Sequence, residues 1–159
     1  MIKADNISKS FEGIPILNKI STVFEKGKTN LIIGQSGSGK TVFLKCLLGL
    51  LETDSGKILF ENNPLKKMNT KERSVLRQEM GMVFQGSALF DSMTVEENIM
   101  FPMQMFTKKN DAEIREQANV VIKRVNLINA NNKLPDEISG GMKKRVAIAR
   151  AIIMNPKYL

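Results

Sequence analysis

The sequence predicts an α/β fold in which a glycine-rich loop joins a buried strand to a buried helix. Residues 29–33 form a short apolar, β-branched run that is typical of a buried strand. Residues 41–48 have the length and the apolar composition of a buried helix. Between them lies the sequence Gly34-Gln35-Ser36-Gly37-Ser38-Gly39-Lys40-Thr41, which reads G-x-x-x-x-G-K-T. Strand, glycine loop and helix in this order predict a P-loop domain, which cradles the phosphates of a nucleotide.

The residue types of this loop match the chemistry of phosphate binding. Glycines at 34, 37 and 39 allow positive φ angles and bring successive N–H groups close to phosphate oxygens, and the following helix adds its positive end. Lys40 would neutralise the β- and γ-phosphates, and the Thr41 hydroxyl would bind Mg²⁺. The alternative is a glycine-rich turn before a core helix with an incidental lysine, and the flanking strand and helix patterns disfavour it.

Length and composition predict one globular domain. The chain has 159 residues, of which 42% are hydrophobic and 25% charged. No run approaches the roughly 18 apolar residues of a membrane span, and the N-terminus lacks a signal-peptide pattern, so we expect a cytoplasmic protein. Cys46 is alone, which excludes an intrachain disulfide and indicates a core thiol. The absence of histidine excludes a histidine-dependent metal site within this sequence.

The net charge of +8 raises the question of a polyanionic partner. Lysine and arginine are spread among acidic residues except at Lys143-Lys144-Arg145, and a run this short is more typical of a solvated helix face. We therefore expect no specific nucleic-acid partner.

The N-terminal segment predicts two strands. Met1–Asn6 is expected to be an edge strand, Ser8–Gly13 a turn and Ile16–Phe24 a second strand. Phe11 falls in the polar turn, where an exposed aromatic ring either stacks on a nucleotide base or anchors local packing. The residues alone leave these two interpretations equal.

A second candidate ligand group follows the loop helix. The pattern predicts a short strand at 57–60, a polar helix at 70–79 and a buried strand at 80–84, which ends at Gln85. Polar residues at the carboxyl end of a parallel strand are where α/β sheets place ligand groups. Gln85 is therefore a candidate for contact with Mg²⁺ or the attacking water, although a lone glutamine in a loop usually has no catalytic role.

Two helices in succession predict a helical insertion. Thr94 and Glu97 form a capping box that opens a helix toward Met105, and Asn110 with Glu113 opens another. The stretch 99–106 is rich in methionine and phenylalanine, which suit either an irregular partner surface or core filling.

The last helix carries the most specific pattern. Ser139 is expected to cap a helix over about residues 140–154, and Ile138-Ser139-Gly140-Gly141-Met142 followed by residues 143–151 resembles the signature of ABC-type ATPases. The family order of aromatic loop, phosphate loop, glutamine loop and signature is reproduced by Phe11, residues 34–41, Gln85 and residues 138–142.

This resemblance implies an ABC-type RecA-like core with an antiparallel β subdomain and a helical subdomain. It divides the chain into a β subdomain and P-loop core (1–85), a helical subdomain (86–142) and a return to the core (143–159). It also implies that ATP and Mg²⁺ bind at the loop, with Phe11 stacked on adenine, Lys40 and Gln85 in catalytic roles and Thr41 and Gln85 on the metal. Residues Ser139–Met142 would contact ATP held by a second copy in a head-to-tail dimer.

Two details resemble a subfamily, the ATPases of Mla-type phospholipid transporters. Met142 stands where most ABC proteins have glutamine, and residues 84–90 resemble the glutamine-loop region of that subfamily. The implied function is the ATP-binding subunit of a membrane transporter for phospholipid or another hydrophobic substrate, bound to a permease at the inner face of the membrane. The alternative is a soluble ABC-type switch acting on nucleic acid or ribosomes, which would need a second ATPase domain or a coiled-coil insertion.

The chain departs from the family pattern in one respect. ABC ATPases carry a strand ending in Asp-Glu and, later, a switch histidine, and residues 1–159 contain neither. Asp136-Glu137 follows Lys133-Leu134-Pro135 rather than an apolar strand. We therefore expect a fold that is incomplete at its C-terminus, ends before the Walker B strand and binds nucleotide with little hydrolysis.

Overall fold

An antiparallel sheet of four strands lies in the N-terminal part of the chain, in the order β2-β1-β3-β4. Strand β1 (Ile2–Phe11) and strand β2 (Ile14–Phe24) form a hairpin, and β3 (Ser55–Phe60) pairs with the other side of β1. Strand β4 (Asn63–Pro64) completes the sheet. Two predictions were wrong. The turn predicted at Ser8–Gly13 occupies only the two residues between β1 and β2. The strand predicted at the edge of the sheet, β1, is a central strand, because β3, far away in sequence, supplies its second partner.

Helix α1 (Lys40–Leu47) agrees with the helix that the sequence predicts after the glycine loop. It buries Phe43, Cys46 and Leu47, and the Phe43 ring lies 6.3 Å from the Phe24 ring of β2. Cys46 is fully buried, and this burial raises the pKa of its thiol, which confirms a core position.

The computed structural model describes residues 1–159 as two compact units, residues 1–73 and residues 74–159. We call them the N-terminal unit and the C-terminal unit. The boundary falls within helix α2 (Thr70–Gln78).

Three helices enclose the core of the C-terminal unit: α3 (Val95–Phe106), α4 (Asp111–Arg124) and α5 (Gly140–Ile152). The predicted capping boxes are present, because Thr94 and Asn110 each exchange hydrogen bonds with the glutamate three positions later. Ser139 caps α5 as expected, accepting a hydrogen bond from the Met142 N–H. The core includes fully buried side chains from all three helices: Val95, Ile99, Ala118, Val146 and Ala149.

The two buried strands predicted at 29–33 and 80–84 do not form. Leu31 is 83% exposed and Ile33 is 81% exposed, and no segment of the chain pairs with them. Met80 makes a single parallel bridge, to Tyr158. An apolar run becomes a buried strand only when neighbouring strands take up its backbone hydrogen bonds and other elements cover its faces. No helix of the chain has both the length and the apolar character needed to cross a bilayer.

Candidate functional site

Backbone conformation and close packing both constrain Gly39 of the loop. A Cβ atom on Gly39, which has a φ of +88°, would lie 3.1 Å from the Cγ2 and backbone oxygen of Ile16. A Cβ atom on Gly34 would lie 2.8 Å from the Ser38 Oγ, a side-chain atom that can rotate away. Gly37 also has positive φ, at +80°, but a Cβ there would meet nothing within 4 Å. Gly37 therefore provides backbone conformation and leaves open space beside the loop, as a phosphate cradle requires.

The Lys40 side chain is folded over this loop. Its Nζ donates hydrogen bonds to the carbonyl oxygens of Gly34, at 2.8 Å, and Gln35, at 2.6 Å. The ammonium group is thereby held beside the residues that curve around the open space. An anion bound by the loop amides would meet a positive charge already in position.

The N-terminus of α1 has no side-chain cap, in contrast to the N-termini of α3, α4 and α5. Gly39 occupies the N-cap position, no side chain accepts from the first-turn amides, and the first turn has no acidic residue. Helices α3, α4 and α5 are capped by Thr94, Asn110 and Ser139. An uncapped helix start has free amide donors and a positive dipole end, which fit a phosphate group.

The expected Mg²⁺ fits the residues of this loop only if a nucleotide supplies further ligands. Thr41 presents an exposed hydroxyl in the first turn of α1. The chain has no cluster of three or more His, Cys, Asp or Glu side chains arranged to hold a metal ion. Mg²⁺ binds readily through few protein ligands, with phosphate oxygens and waters completing its shell. The donor set therefore suits Mg²⁺ that enters with a nucleotide.

Phe11 lies at the end of β1 and is 42% exposed. It pairs across the hairpin with Ile14, two residues before Ile16, which bounds Gly39. With a strand rise of about 3.3 Å per residue, the Phe11 end of the hairpin is about 7 Å farther along than the part that touches the loop. Phe11 thus lies on the hairpin whose second strand also contacts Gly39 of the loop.

The other predicted site residues belong to the C-terminal unit. Gln85 is exposed, and Ser87 and Ala88 after it have positive φ angles of 64° and 47°. At the start of α5, Ser139, Gly140 and Gly141 are exposed, whereas Met142 is half-buried and packs against the helical core. The signature residues therefore present an accessible helix N-terminus.

Asp136-Glu137 does not have the geometry of a strand-end carboxylate pair. These residues lie in a short 3-10 turn, Pro135–Glu137. The Glu137 Oε2 accepts a hydrogen bond from the Leu134 N–H at 2.7 Å. The pair serves local turn structure.

A polar network that the sequence did not predict lies close to Gln85 in the chain. The fully buried Asn98 accepts from the Phe90 N–H at 2.8 Å and donates to the carbonyl oxygens of Phe90, Met93 and Thr94. Arg150 of α5 donates to the Ser87 carbonyl oxygen at 2.9 Å, and its burial lowers the pKa of the guanidinium. The sequence did contain a signal for Asn98, because it is a polar residue between Val95 and Ile99 on the buried face of α3.

An apolar groove of about 310 Å³ lies in the C-terminal unit. The Phe90 and Phe101 rings in its lining are 4.7 Å apart. In the methionine-rich stretch, Met100 and Met103 fill the core, while Met105 and Phe106 are exposed, and a partner surface at the exposed residues stays a prediction. The aromatic and proline residues of the lining are Phe84, Phe90, Phe101, Pro102 and Phe106.

A glycine loop with a poised lysine and an uncapped helix defines the N-terminal unit as a P-loop nucleotide-binding unit. The family model described as ABC transporter matches residues 17–159, and the chain therefore belongs to the ABC transporter family. Among solved structures, the chain is similar to the dimeric structure of MJ0796, a bacterial ABC transporter cassette. The TM-score is 0.88 with 30% identity, over 98% of this chain and 71% of the other. The post-hydrolysis state of that cassette, bound to ADP and Pi, has a TM-score of 0.86, also at 30% identity and with the same coverage of both chains.

Curated relatives agree with this assignment. The arginine transport ATP-binding protein ArtM of Bacillus subtilis is 41% identical over 159 residues, covering 100% of this chain and 66% of the relative. The probable ribonucleotide transport ATP-binding protein mkl of Mycobacterium tuberculosis is 36% identical over 158 residues, covering 99% of this chain and 44% of the relative. The chain thus spans 66% of the length of the first relative and 44% of the length of the second. The predicted family and P-loop fold class are confirmed, and neither relative is named for phospholipid transport.

Proposed function

We propose that this chain is the nucleotide-binding part of the ATP-binding subunit of an ABC transporter. The proposal rests on the glycine loop. Lys40 is hydrogen-bonded to two carbonyl oxygens of this loop, and the helix that follows has no side-chain cap. ATP would bind with its phosphates against the loop amides and Lys40, and with adenine stacked on Phe11. Mg²⁺ would be held by Thr41 and Gln85 and would supply charge neutralisation at the phosphates.

The test is ATP binding by the whole chain and by its Lys40→Ala variant. Hydrogen bonds to charged groups contribute about 1.5–3 kcal/mol, so the variant should bind ATP about 10- to 100-fold more weakly. Lys45→Ala is the matched control, because Lys45 lies on the same helix and is exposed. Equal affinity of the Lys40 variant and the unchanged chain would refute the proposed site.

We further propose the division of labour that the family resemblance implies. Residues 1–85 form the β subdomain and P-loop core, 86–142 the helical subdomain and 143–159 the return to the core. In a head-to-tail dimer, Ser139–Met142 of each copy would contact the ATP held by the other. The dimeric ABC cassette similar to this chain supports this arrangement.

Within residues 1–159 the one Asp-Glu pair lies in a turn, so we propose that this chain binds nucleotide with little hydrolysis.

The apolar groove supports a proposal for the membrane partner. Its aromatic lining includes Phe84, next to Gln85, and the exposed Phe106. We propose that a helix of a permease docks there and holds the subunit at the inner face of the membrane. In the full-length protein, Phe106→Asp should abolish co-purification with the permease, whereas Val120→Asp, at an exposed position on α4, should leave it intact. Retained co-purification of the Phe106 variant would place the partner elsewhere.

The substrate proposal is phospholipid or another hydrophobic molecule. Its support is the resemblance of residues 84–90 and of Met142 to the Mla-type ATPases. The names of the relatives, arginine and ribonucleotide transport proteins, give the competing polar-solute hypothesis. Vesicles containing the assembled transporter would decide: ATP-dependent lipid transfer is expected, and ATP-dependent uptake of a polar solute without lipid transfer would overturn the proposal.

A further inference from the structure

The Asp54 carboxylate fixes the backbone immediately before Phe11. The Asp54 Oδ2 accepts hydrogen bonds from both the backbone N–H and the hydroxyl of Ser10, each at 2.7 Å. The Asp54 backbone N–H donates to the Ser8 carbonyl oxygen at 3.0 Å. The turn that precedes β3 is thus bonded to the last part of β1, although Asp54 and Ser10 are 44 positions apart in the sequence.

The same carboxylate holds a cation against the aromatic ring. The Asp54 Oδ1 lies 2.7 Å from the Lys9 Nζ, and the Lys9 side chain is only 17% exposed. This Nζ lies 5.4 Å from the centroid of the Phe11 ring, within the range of a cation–π attraction. Lys9 therefore contacts the ring while Asp54 fixes Lys9.

We propose that Lys9 and Asp54 are positioning residues that hold the Phe11 ring in the orientation needed to stack on the base of a bound nucleotide. The proposal rests on the proposed function, because it takes Phe11 as the base-stacking residue. A ring that is already oriented loses less conformational freedom when a base stacks on it. The nearby cation also draws electron density from the ring, which favours stacking on an electron-rich purine.

If Lys9 and Asp54 position the Phe11 ring, their loss should weaken binding of the nucleotide base and leave binding of the phosphates unchanged. Loss of the Lys9 cation should weaken ATP binding about two- to fivefold, the size of an exposed cation–π contact. Binding of inorganic tripolyphosphate, which has no base, should stay the same. A merely structural role in the hairpin would weaken both ligands together, because β2 also bounds Gly39.

The experiment measures displacement of a fluorescent ATP analogue by ATP and by inorganic tripolyphosphate, both with Mg²⁺, for the whole chain. Lys9→Met and Asp54→Asn should lower the ratio of ATP affinity to tripolyphosphate affinity two- to fivefold, relative to the unchanged chain. Lys9→Arg should restore it, because arginine can pair with Asp54 and lie on an aromatic face. Lys3→Met is the control, since Lys3 is an exposed lysine of the same strand.

Adding Lys9→Met to Phe11→Ala completes the test. If Lys9 acts through the ring, it should cause no further loss when Phe11 is absent. An unchanged ratio for Lys9→Met, or an additional loss in the double variant, would overturn the proposal. Failure of the proposed function looks different, because Lys40→Ala would then leave the affinity for both ATP and tripolyphosphate unchanged.

Discussion

Arg150 of helix α5 donates a hydrogen bond of 2.9 Å to the backbone carbonyl oxygen of Ser87. Ser87 and the following Ala88 both have positive φ angles, which are unfavourable for residues with a side chain. The guanidinium also lies 5.7 Å from the centroid of the Phe90 ring. The helix that begins at the signature residues thus stabilises an unfavourable backbone conformation in the segment after Gln85.

Removing the guanidinium should destabilise the fold. Arg150→Met should lower the free energy of unfolding by about 1.5–3 kcal/mol, because a charge-assisted hydrogen bond is lost. Arg150→Lys should recover only part of this, since an ammonium group lacks the planar set of donors. Urea unfolding of the whole chain measures both. Arg124→Met, at an exposed position in the last turn of α4, should change the free energy by less than about 0.5 kcal/mol. Equal effects at positions 124 and 150 would contradict the role given to Arg150.

Asn98 should be more sensitive than Arg150. Asn98→Leu would leave the Phe90 N–H and the Met93 carbonyl oxygen without a partner, whereas the other two carbonyl oxygens keep their backbone hydrogen bonds. Each unsatisfied buried group costs about 1–3 kcal/mol, so we expect a loss of at least about 2 kcal/mol in urea unfolding. Gln104→Ala, at an exposed position on the same helix, should have little effect. A loss below about 1 kcal/mol at position 98 would show that water or local rearrangement replaces these bonds.

Local signals made part of this structure predictable. The helix starts at Thr94, Asn110 and Ser139 depend on side chains bonding to amides three residues away, and the sequence contains that information. The glycine loop was recognisable because its motif is contained in eight consecutive residues, 34–41. The strands predicted at 29–33 and 80–84 failed because strand formation depends on partners that a local pattern does not reveal.

Long-range contacts account for what the sequence could not predict in the site. Lys9 and Asp54 are 45 positions apart, and Arg150 and Ser87 are 63 positions apart. Neither pair has a characteristic spacing, since each depends on how separate elements pack. The functional roles of Phe11, Gln85 and the signature residues remain predictions, whereas their placement on a strand end, a loop and a helix start is observed.

The Asp54 interactions should appear in the acid stability of the protein. Hydrogen bonds from Lys9 and Ser10 lower the pKa of Asp54 from 3.8 to about 2. A carboxylate whose pKa is lower in the folded state stabilises the fold above its unfolded pKa and loses this contribution as pH falls. The contribution should therefore disappear between about pH 4 and pH 2.

Comparing the unchanged chain with Asp54→Asn isolates this contribution. Between pH 4 and pH 2 the stability of the unchanged chain should fall more steeply, because the amide does not titrate. Between pH 6 and pH 7 the difference in stability between the two proteins should be constant, since the carboxylate is ionised throughout. Thermal unfolding followed by circular dichroism measures this, and parallel stability curves from pH 4 to pH 2 would contradict the assignment.

Gly56 should be the glycine that is least tolerant of substitution in the sheet. It has a φ of +85°, and a Cβ atom there would lie 2.3 Å from the backbone oxygen of Asn6 and 2.6 Å from that of Asp5. Gly13 is the matched comparison, because its φ is +81° but a Cβ would meet nothing within 4 Å. Gly13→Ala should therefore cost only the left-handed conformation, about 1–2 kcal/mol. Gly56→Ala should cost that amount plus the separation of β1 from β3, about 1–3 kcal/mol more, because rigid backbone atoms cannot rotate away. Urea unfolding of the two variants tests this directly, and equal losses would mean that the β1–β3 pairing accommodates a methyl group at Gly56.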